Sequence, residues 1–356
     1  MSFQFHQLKV RDLRRETADT VSISFELPEN EREAFRYKQG QHLTLKVEID
    51  GEEVRRSYSI CTGVQENDLR VAVKKVDGGL FSTWANEQLK VGDSLQVMPP
   101  QGHFFTELNR DHEKLYVAFA AGSGITPVMS ILRSTLAQEP KSRFILFYGN
   151  RSFDTIIFRE QLEELKNLHP DRLSIHHVLS RESLGNDLFK GRIDGVKCRR
   201  FAKFFFNPAE VDEFFLCGPE EMVFAVKDAL SEIGTDPKSV HFELFTTAGA
   251  HKKAIITSSD KASFEASITV IQDGAQFDFS LPSDGSTLLD AAMRAGADLP
   301  YSCKGGVCST CKARILEGKV EMSVNYGLEP DEVEAGYVLT CQAHPITKRV
   351  VVSFDA

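Results

Sequence analysis

Three thiols near the C-terminus, Cys303, Cys308 and Cys311, form a C-x4-C-x2-C run, and Cys341 follows after 29 intervening residues. Four thiolates at that spacing are the ligand set of a plant-type [2Fe–2S] cluster. The run reads Cys303-Lys304-Gly305-Gly306-Val307-Cys308-Ser309-Thr310-Cys311. Three sulfurs reach one small cluster only if the loop curls with its amides inward, and Gly305 and Gly306 are expected to supply the freedom for it. Amides aimed at sulfur also offset the cluster's negative charge. Zinc knuckles arrange their cysteines as two close pairs. A dithiol built on Cys308 and Cys311 alone leaves Cys303 and Cys341 unexplained. The cluster uses all four.

Two further stretches carry chemistry of another kind. Arg56-Ser57-Tyr58-Ser59 lies downstream of Gly40-Gln41 and ahead of Gly78-Gly79-Leu80-Phe81-Ser82. A flavin needs an aromatic against its ring system and cations with backbone amides for its pyrophosphate. The first motif offers the guanidinium, the aromatic face and hydroxyls. The second is a glycine-rich turn running into a helix at Ser82, whose free N–H groups can receive a phosphate. Alone, an Arg and a Tyr on a strand are unremarkable surface residues; the two motifs together point to a flavin site.

Ala121-Gly122-Ser123-Gly124-Ile125-Thr126-Pro127 joins an apolar strand to a helix. Pro127 occupies the third glycine's place, so the G-x-G-x-x-G fingerprint fails. Proline in a first helical turn instead suits a helix whose N-terminus meets an anion. Cys217-Gly218-Pro219 follows another strand, and strand C-termini in open α/β sheets face the ligand crevice. Cys217 is either a buried packing residue or a positioning residue there.

The elements that must hold these groups can be read from periodicity. Residues 1–107 alternate in short strands (20–27, 43–47, 57–61, 69–76) separated by glycines, the pattern of an antiparallel barrel. From Leu115 the pattern becomes strand–helix alternation, a doubly wound parallel sheet over 108–246 with helices expected at 126–136 and 159–168. Residues 247–262 lack apolar periodicity and read as a linker. Residues 263–356 make a small β-rich domain with a helix at 287–295. The phenylalanine-rich stretch from Phe201 to Phe215 is expected in the core, and Trp84 is expected to pack its helix.

Composition sets outer bounds. At 356 residues two or three domains are expected. Apolar residues make up 42% and charged ones 26%, as in soluble globular proteins, and no run is long enough to span a bilayer. Seven scattered cysteines are no disulfide framework and suit a reducing, cytoplasmic setting. Residues 263–356 hold 13 acidic and 7 basic residues, net −6 of the chain's −9. Nucleic-acid binding is disfavoured, and a partner with a basic docking face is favoured.

Arg56-x-Tyr58-Ser59, Gly79-x-x-Ser82, Gly122-x-Gly124-Ile125-x-Pro127 and Cys217-Gly218-Pro219 resemble the motifs of the ferredoxin–NADP reductase superfamily; Gln39 departs where relatives have Pro before Gly-Gln. The resemblance implies an FAD barrel, a nicotinamide-dinucleotide domain and a C-terminal β-grasp ferredoxin domain. By position, Arg56 and Ser82 would hold the FAD pyrophosphate, and Ser57, Tyr58, Ser59 and the 78–81 turn would border the flavin. Gly122, Ser123, Gly124, Thr126 and Pro127 would take the dinucleotide, with Cys217 and Gly218 beside the nicotinamide. Arg151, Ser180 and Arg181 resemble a 2′-phosphate site, which favours NADPH, although Asp154 stands close in sequence. The tail carrying Glu243 and Phe245 would sit near the flavin; Glu243 either shuttles a proton with Ser59 or is the polar side of a terminal strand. Leu288-Leu289-Asp290-Ala291-Ala292 through Leu299-Pro300-Tyr301-Ser302-Cys303 resembles plant-type ferredoxins, and Tyr301-Ser302-Cys303-Lys304-Gly305-Gly306-Val307-Cys308, Asn325-Tyr326-x-Leu328-Glu329-Pro330-Asp331-Glu332 and Gly336-Tyr337-Val338-Leu339 look most like the family of reductases serving phenylacetyl-CoA epoxidases. That implies electron flow from NADPH through FAD and [2Fe–2S] to a partner di-iron oxygenase. A steroid- or aromatic-hydroxylase reductase, a diaphorase and a non-catalytic iron–sulfur sensor are the other readings.

Overall fold

Six antiparallel strands and one helix come first: β1 (His6–Thr17), β2 (Thr20–Glu26), β3 (His42–Ile49), β4 (Glu52–Ser59), β5 (Leu69–Lys74), α1 (Leu80–Glu87) and β6 (Ser94–Val97). The structure is a computed structural model that describes residues 4–183, 185–245 and 263–356. The strands run in the order β4-β3-β6-β1-β2-β5, and a bridge between Ile60 and Val71 brings the two ends of that order together. The sheet therefore closes as a barrel around Leu8, Val10, Ile23, Phe25, Leu43, Leu45, Val71 and Val97. β1 escapes the alternation rule because its twelve residues carry few apolar side chains and its register slips between Val10 and Asp12. Its Leu8 and Val10 are buried nonetheless.

The next nine elements are β7 (Leu115–Ala121), α2 (Ile125–Gln138), β8 (Arg143–Asn150), α3 (Arg159–Leu168), β9 (Leu173–Leu179), α4 (Gly195–Phe205), β10 (Glu213–Gly218), α5 (Glu220–Glu232) and β11 (Val240–Leu244). All five strands are parallel, in the order β11-β10-β7-β8-β9. The chain reverses direction across the sheet between β7 and β10, and ligand crevices form at such switch points. Strand residues such as Val117, Ala118 and Phe119 are fully buried because helices cover both faces. Phe201, Phe206, Phe214 and Phe215 are core, as expected, but Phe204 is 61% exposed. At about 100° per residue it stands on the far side of Phe201 from Phe205, and α4 turns it outward.

The C-terminal unit holds β12 (Glu265–Gln272), β13 (Ala275–Pro282), α6 (Leu288–Arg294), β14 (Lys312–Glu317), β15 (Val320–Met322), α7 (Pro330–Glu334), β16 (Tyr337–Leu339), β17 (Ala343–Pro345) and β18 (Arg349–Ser353). Its main sheet has the order β13-β12-β18-β14-β16, with β12 and β18 parallel. α6 buries Leu288, Leu289, Ala291 and Ala292 against it. The helix starts on Thr287, whose side chain accepts from the Asp290 amide. The segment read as a linker, 247–262, lies outside the described residues. Among the described residues no helix is long and apolar enough to cross a membrane.

Candidate functional site

β4 begins at Glu52, earlier than its apolar pattern suggests. Its period of two puts Arg56 and Tyr58 on one face and Ser57 and Ser59 on the other, so the motif divides between two surfaces. The Tyr58 ring lies 5.3 Å from that of buried Phe81, and Trp84 packs edge-on to Phe81 at 5.8 Å. Arg56 donates to the Arg55 carbonyl at 2.7 Å. Gly78 has φ +71° and open space where a Cβ would stand. The first backbone bond of α1 runs from the Thr83 amide to the Gly79 carbonyl at 3.0 Å. The amides of Leu80, Phe81 and Ser82 thus have no partner within the helix. A pyrophosphate fits such an end. The Ser82 hydroxyl closes the turn itself, accepting from Val76 N at 3.1 Å and donating to the Gly79 carbonyl at 3.3 Å. What Ser82 offers an anion is its amide.

The loop between β7 and α2 is shaped by two glycines. Gly122 has φ +54° with open space around it, as a backbone that receives a ligand requires. A Cβ on Gly124 would fall 2.1 Å from the carbonyl oxygen of Cys217. Only glycine lets this loop lie against the end of β10. Tyr148 donates to the Gly122 carbonyl at 2.9 Å, and the Thr126 hydroxyl to the Ser123 carbonyl at 3.0 Å. Pro127 stands in the first turn of α2, where no amide is needed. Close by, at the carboxyl end of β8, the buried Asn150 side-chain nitrogen meets no hydrogen-bond partner among the described residues. An unpaired buried donor at this edge suits a polar ligand.

At the ends of β8 and β9, Arg181 and Ser180 donate their amides to the carbonyls of Arg151 (2.8 Å) and Asn150 (3.0 Å). Arg151 and Arg181 are exposed and Ser180 half-buried. The Glu182 carboxylate accepts from the Phe153 amide at 3.0 Å, and Asp154 accepts from the Ser152 hydroxyl. Both signs of charge therefore meet at this corner.

β10 and β11 run side by side in register, Cys217 opposite Glu243. The Ser59 hydroxyl donates to the Glu243 carboxylate at 3.0 Å. Three residues taken from three separate motifs are thus brought together. Cys217 is wholly buried, and burial, reinforced by the Glu243 charge, pushes its thiol well above the usual range. A neutral thiol is a poor nucleophile, in keeping with a positioning role. Phe245, the last described residue of this unit, is 41% exposed.

In the C-terminal unit the four expected thiols lie as two neighbouring pairs. Cys308 donates to Cys303, which draws Cys303 down to about 7 and pushes Cys308 up. Cys311 is pushed up by its bond with Cys341 and by burial. The Thr340 amide and hydroxyl both donate to the Cys311 carbonyl, at 3.1 and 3.0 Å, and so place Cys341. Two pairs of thiolates match two irons with two protein ligands each. Among the described residues no three His, Cys, Asp or Glu side chains gather as a single-ion site. The loop's curl differs from expectation. Lys304, Gly306 and Ser309 take positive φ (51°, 75° and 54°), and Gly305 does not. Gly305 contributes an amide, donated to Cys303 Sγ at 3.2 Å. Two non-glycine residues accept left-handed geometry because their neighbours hold it. Gln342 donates to the Lys304 carbonyl at 2.9 Å, and the Ser309 hydroxyl to the Gly327 carbonyl. Gln342 was not singled out by its sequence; its adjacency to Cys341 was the available signal.

Three family descriptions match the chain: an oxidoreductase FAD-binding domain over 7–106, an oxidoreductase NAD-binding domain over 119–228, and a 2Fe-2S iron-sulfur cluster binding domain over 270–345. The chain is 47% identical to one of the subunits of 1,2-phenylacetyl-CoA epoxidase from Escherichia coli K12, covering 99% of this chain and 98% of that one. It is 36% identical to the ferredoxin reductase component of 3-ketosteroid-9-alpha-monooxygenase from Rhodococcus rhodochrous, over 98% and 96% of the two chains. Among solved structures, phthalate dioxygenase reductase matches with a TM-score of 0.59 at 23% identity over 98% of each chain, a likeness of fold.

Proposed function

This chain belongs to the ferredoxin–NADP reductase superfamily with a C-terminal [2Fe–2S] domain, as a reductase of the multicomponent-oxygenase kind, and from that premise we propose that it draws electrons from NADPH and delivers them to a di-iron epoxidase complex acting on phenylacetyl-CoA. The observation that carries the acceptor is the 47% identity over both full lengths to a component of such an epoxidase. Overall, one NADPH becomes NADP⁺ and a proton while the acceptor takes up two electrons singly.

When bound, FAD supplies a carrier that accepts an electron pair and releases it in single steps, and the cluster a carrier of one electron. The chain's residues bind and orient. Arg56 and the amides of Leu80 to Ser82 neutralise the FAD pyrophosphate, while Tyr58 and Ser59 border the ring system. The loop from Gly122 to Pro127 takes the dinucleotide at the start of α2, and Ser180 and Arg181 take its 2′-phosphate. Cys217 fills the space beside the nicotinamide as a neutral thiol. The Glu243 carboxylate accepts from Ser59 Oγ and would exchange a proton with the flavin through that hydroxyl. Cys303, Cys308, Cys311 and Cys341 hold the cluster.

The test is reconstitution with purified oxygenase components. NADPH-dependent epoxidation of phenylacetyl-CoA is expected with an epoxidase complex, with slower transfer as salt rises if the acidic C-terminal unit docks on a basic face. Turnover only with a 3-ketosteroid oxygenase component would move the chain to that branch. A chain whose flavin is not bleached by NADPH would not be a reductase at all.

A further inference from the structure

α2 carries three polar residues on one face, Ser130, Arg133 and Ser134, and Ser130 and Ser134 are fully buried. Their spacing of three and four puts them side by side. All three bond the barrel segment 62–66, which follows β4 directly. Ser130 Oγ donates to the Thr62 carbonyl at 2.6 Å, and the Val64 amide donates to Ser134 Oγ at 3.1 Å. The Arg133 guanidinium meets both carboxylate oxygens of Glu66, at 2.9 and 3.0 Å, and also Gln161 at 3.0 Å. The segment is itself pinned: Tyr37 donates to the Gly63 carbonyl at 2.9 Å, and the Gly63 amide to Glu66 at 3.2 Å.

These bonds complete a ring. From Ser59 the chain runs three residues to Thr62, crosses to Ser130, and returns along α2 to Gly124, roughly 9 Å at 1.5 Å per residue. Gly124 abuts the Cys217 carbonyl, Cys217 pairs with Glu243 across the sheet, and Glu243 accepts from Ser59. Every link is a covalent run, a hydrogen bond, a pairing of neighbouring strands or a contact too close for a Cβ. We infer that Ser130, Arg133 and Ser134 are positioning residues that set the dinucleotide loop at a fixed distance from the flavin-bordering strand, and so govern the rate of hydride transfer. An ordinary interdomain seam would need only apolar packing. Here buried hydroxyls are used with an ion pair in which Arg133 Nη1 meets both Glu66 oxygens while Nη2 meets Gln161, and such contacts fix register where apolar ones slide.

The inference rests on the reading of the 122–127 loop as the dinucleotide site and of Ser59 as a flavin neighbour. Its test needs no oxygenase. In the full-length holoprotein, Arg133→Glu and Glu66→Arg are each expected to slow flavin bleaching at saturating NADPH at least tenfold. FAD content and NADP⁺ affinity by calorimetry should stay within twofold of wild type. The double variant E66R/R133E should recover most of the rate. Should Arg133→Glu not fold, Ser130→Ala with Ser134→Ala replaces it, and hydrogen exchange at the Val64 amide reports that the bonds have opened. An opened Val64 amide with an unchanged limiting rate would overturn the inference, as would a charge-reversed pair that stays slow. Failure of wild type to bleach with NADPH would instead overturn the functional reading beneath it.

Discussion

The cluster loop and the Ser59–Cys217–Glu243 corner are built in opposite ways. The loop gathers three of its four sulfurs within nine residues, and hydrogen bonds between side chains and backbone inside the unit hold it: Gly305 to Cys303, Gln342 to Lys304, Ser309 to Gly327. The corner gathers residues 158 and 184 positions apart, and none of its members is near another along the chain. A local site carries its conformational cost in backbone geometry, here left-handed φ at Lys304 and Ser309. A composite site carries no such local cost and depends on the register of three elements at once. The first should therefore fail completely when a ligand is lost and leave its surroundings intact. The second should fail by degrees with any shift of the elements that meet there.

The largest effect that would sharpen this contrast is Cys308→Ser. It is expected to abolish the cluster's visible absorption, and with it transfer to the oxygenase, while NADPH-driven reduction of a small dye persists. Dye reduction lost along with the cluster would break the comparison, since the two sites would then not be separable.

Gly124→Ala comes next. The added Cβ meets a backbone carbonyl at 2.1 Å, which cannot rotate away. A destabilisation of about 3 kcal/mol, at the upper end for overpacking, is expected in thermal or urea unfolding. The flavin reduction rate should fall with it, and the cluster spectrum should stay unchanged. An effect under about 1 kcal/mol would show that the loop can move off β10.

Glu243→Gln keeps the shape and removes the charge. If the acid relays a proton through Ser59, flavin reduction should slow on the order of 100-fold at neutral pH with little change in NADPH affinity. A rate within threefold would return Glu243 to the alternative of a polar strand residue.

Arg181→Ala should be the mildest. Losing one charge-assisted contact to a 2′-phosphate, worth about 1.5–3 kcal/mol, raises KM for NADPH tenfold or more and leaves KM for NADH nearly unchanged. Equal changes for both would mean that the acidic neighbours Asp154 and Glu182, and not Arg181, set the preference at this corner.

Glycine shows where sequence reasoning succeeds and where it stops. Gly122 and Gly124 are marked as a nucleotide loop by position alone, yet their reasons differ. One needs φ +54° and open space, the other has a carbonyl from a strand about 90 residues away against its Cα. In the cluster loop Gly305 and Gly306 both look like turn residues, and of the two only Gly306 takes positive φ, together with Lys304 and Ser309. Residue type limits which φ is accessible, while hydrogen-bond partners outside the loop decide which residue takes it. β1 was illegible for a related reason, since its pairing with β2 and β6 compensates for an apolar pattern too sparse to show. Ser130, Arg133 and Ser134 carry no motif at all, and only the partner segment 62–66 gives them meaning.

By itself, then, the sequence determined the cofactor classes and the order of the domains that serve them. Those depend on short spacings, C-x4-C-x2-C and the strand–glycine–helix turns, whose geometry is local. Tertiary structure decided which strands lie beside which, that Cys217, Glu243 and Ser59 form one corner, and that α2 bonds the segment 62–66 that follows β4. Contacts between residues far apart in the chain depend on strand order and register, and no local pattern encodes the distance between two elements that meet only after folding.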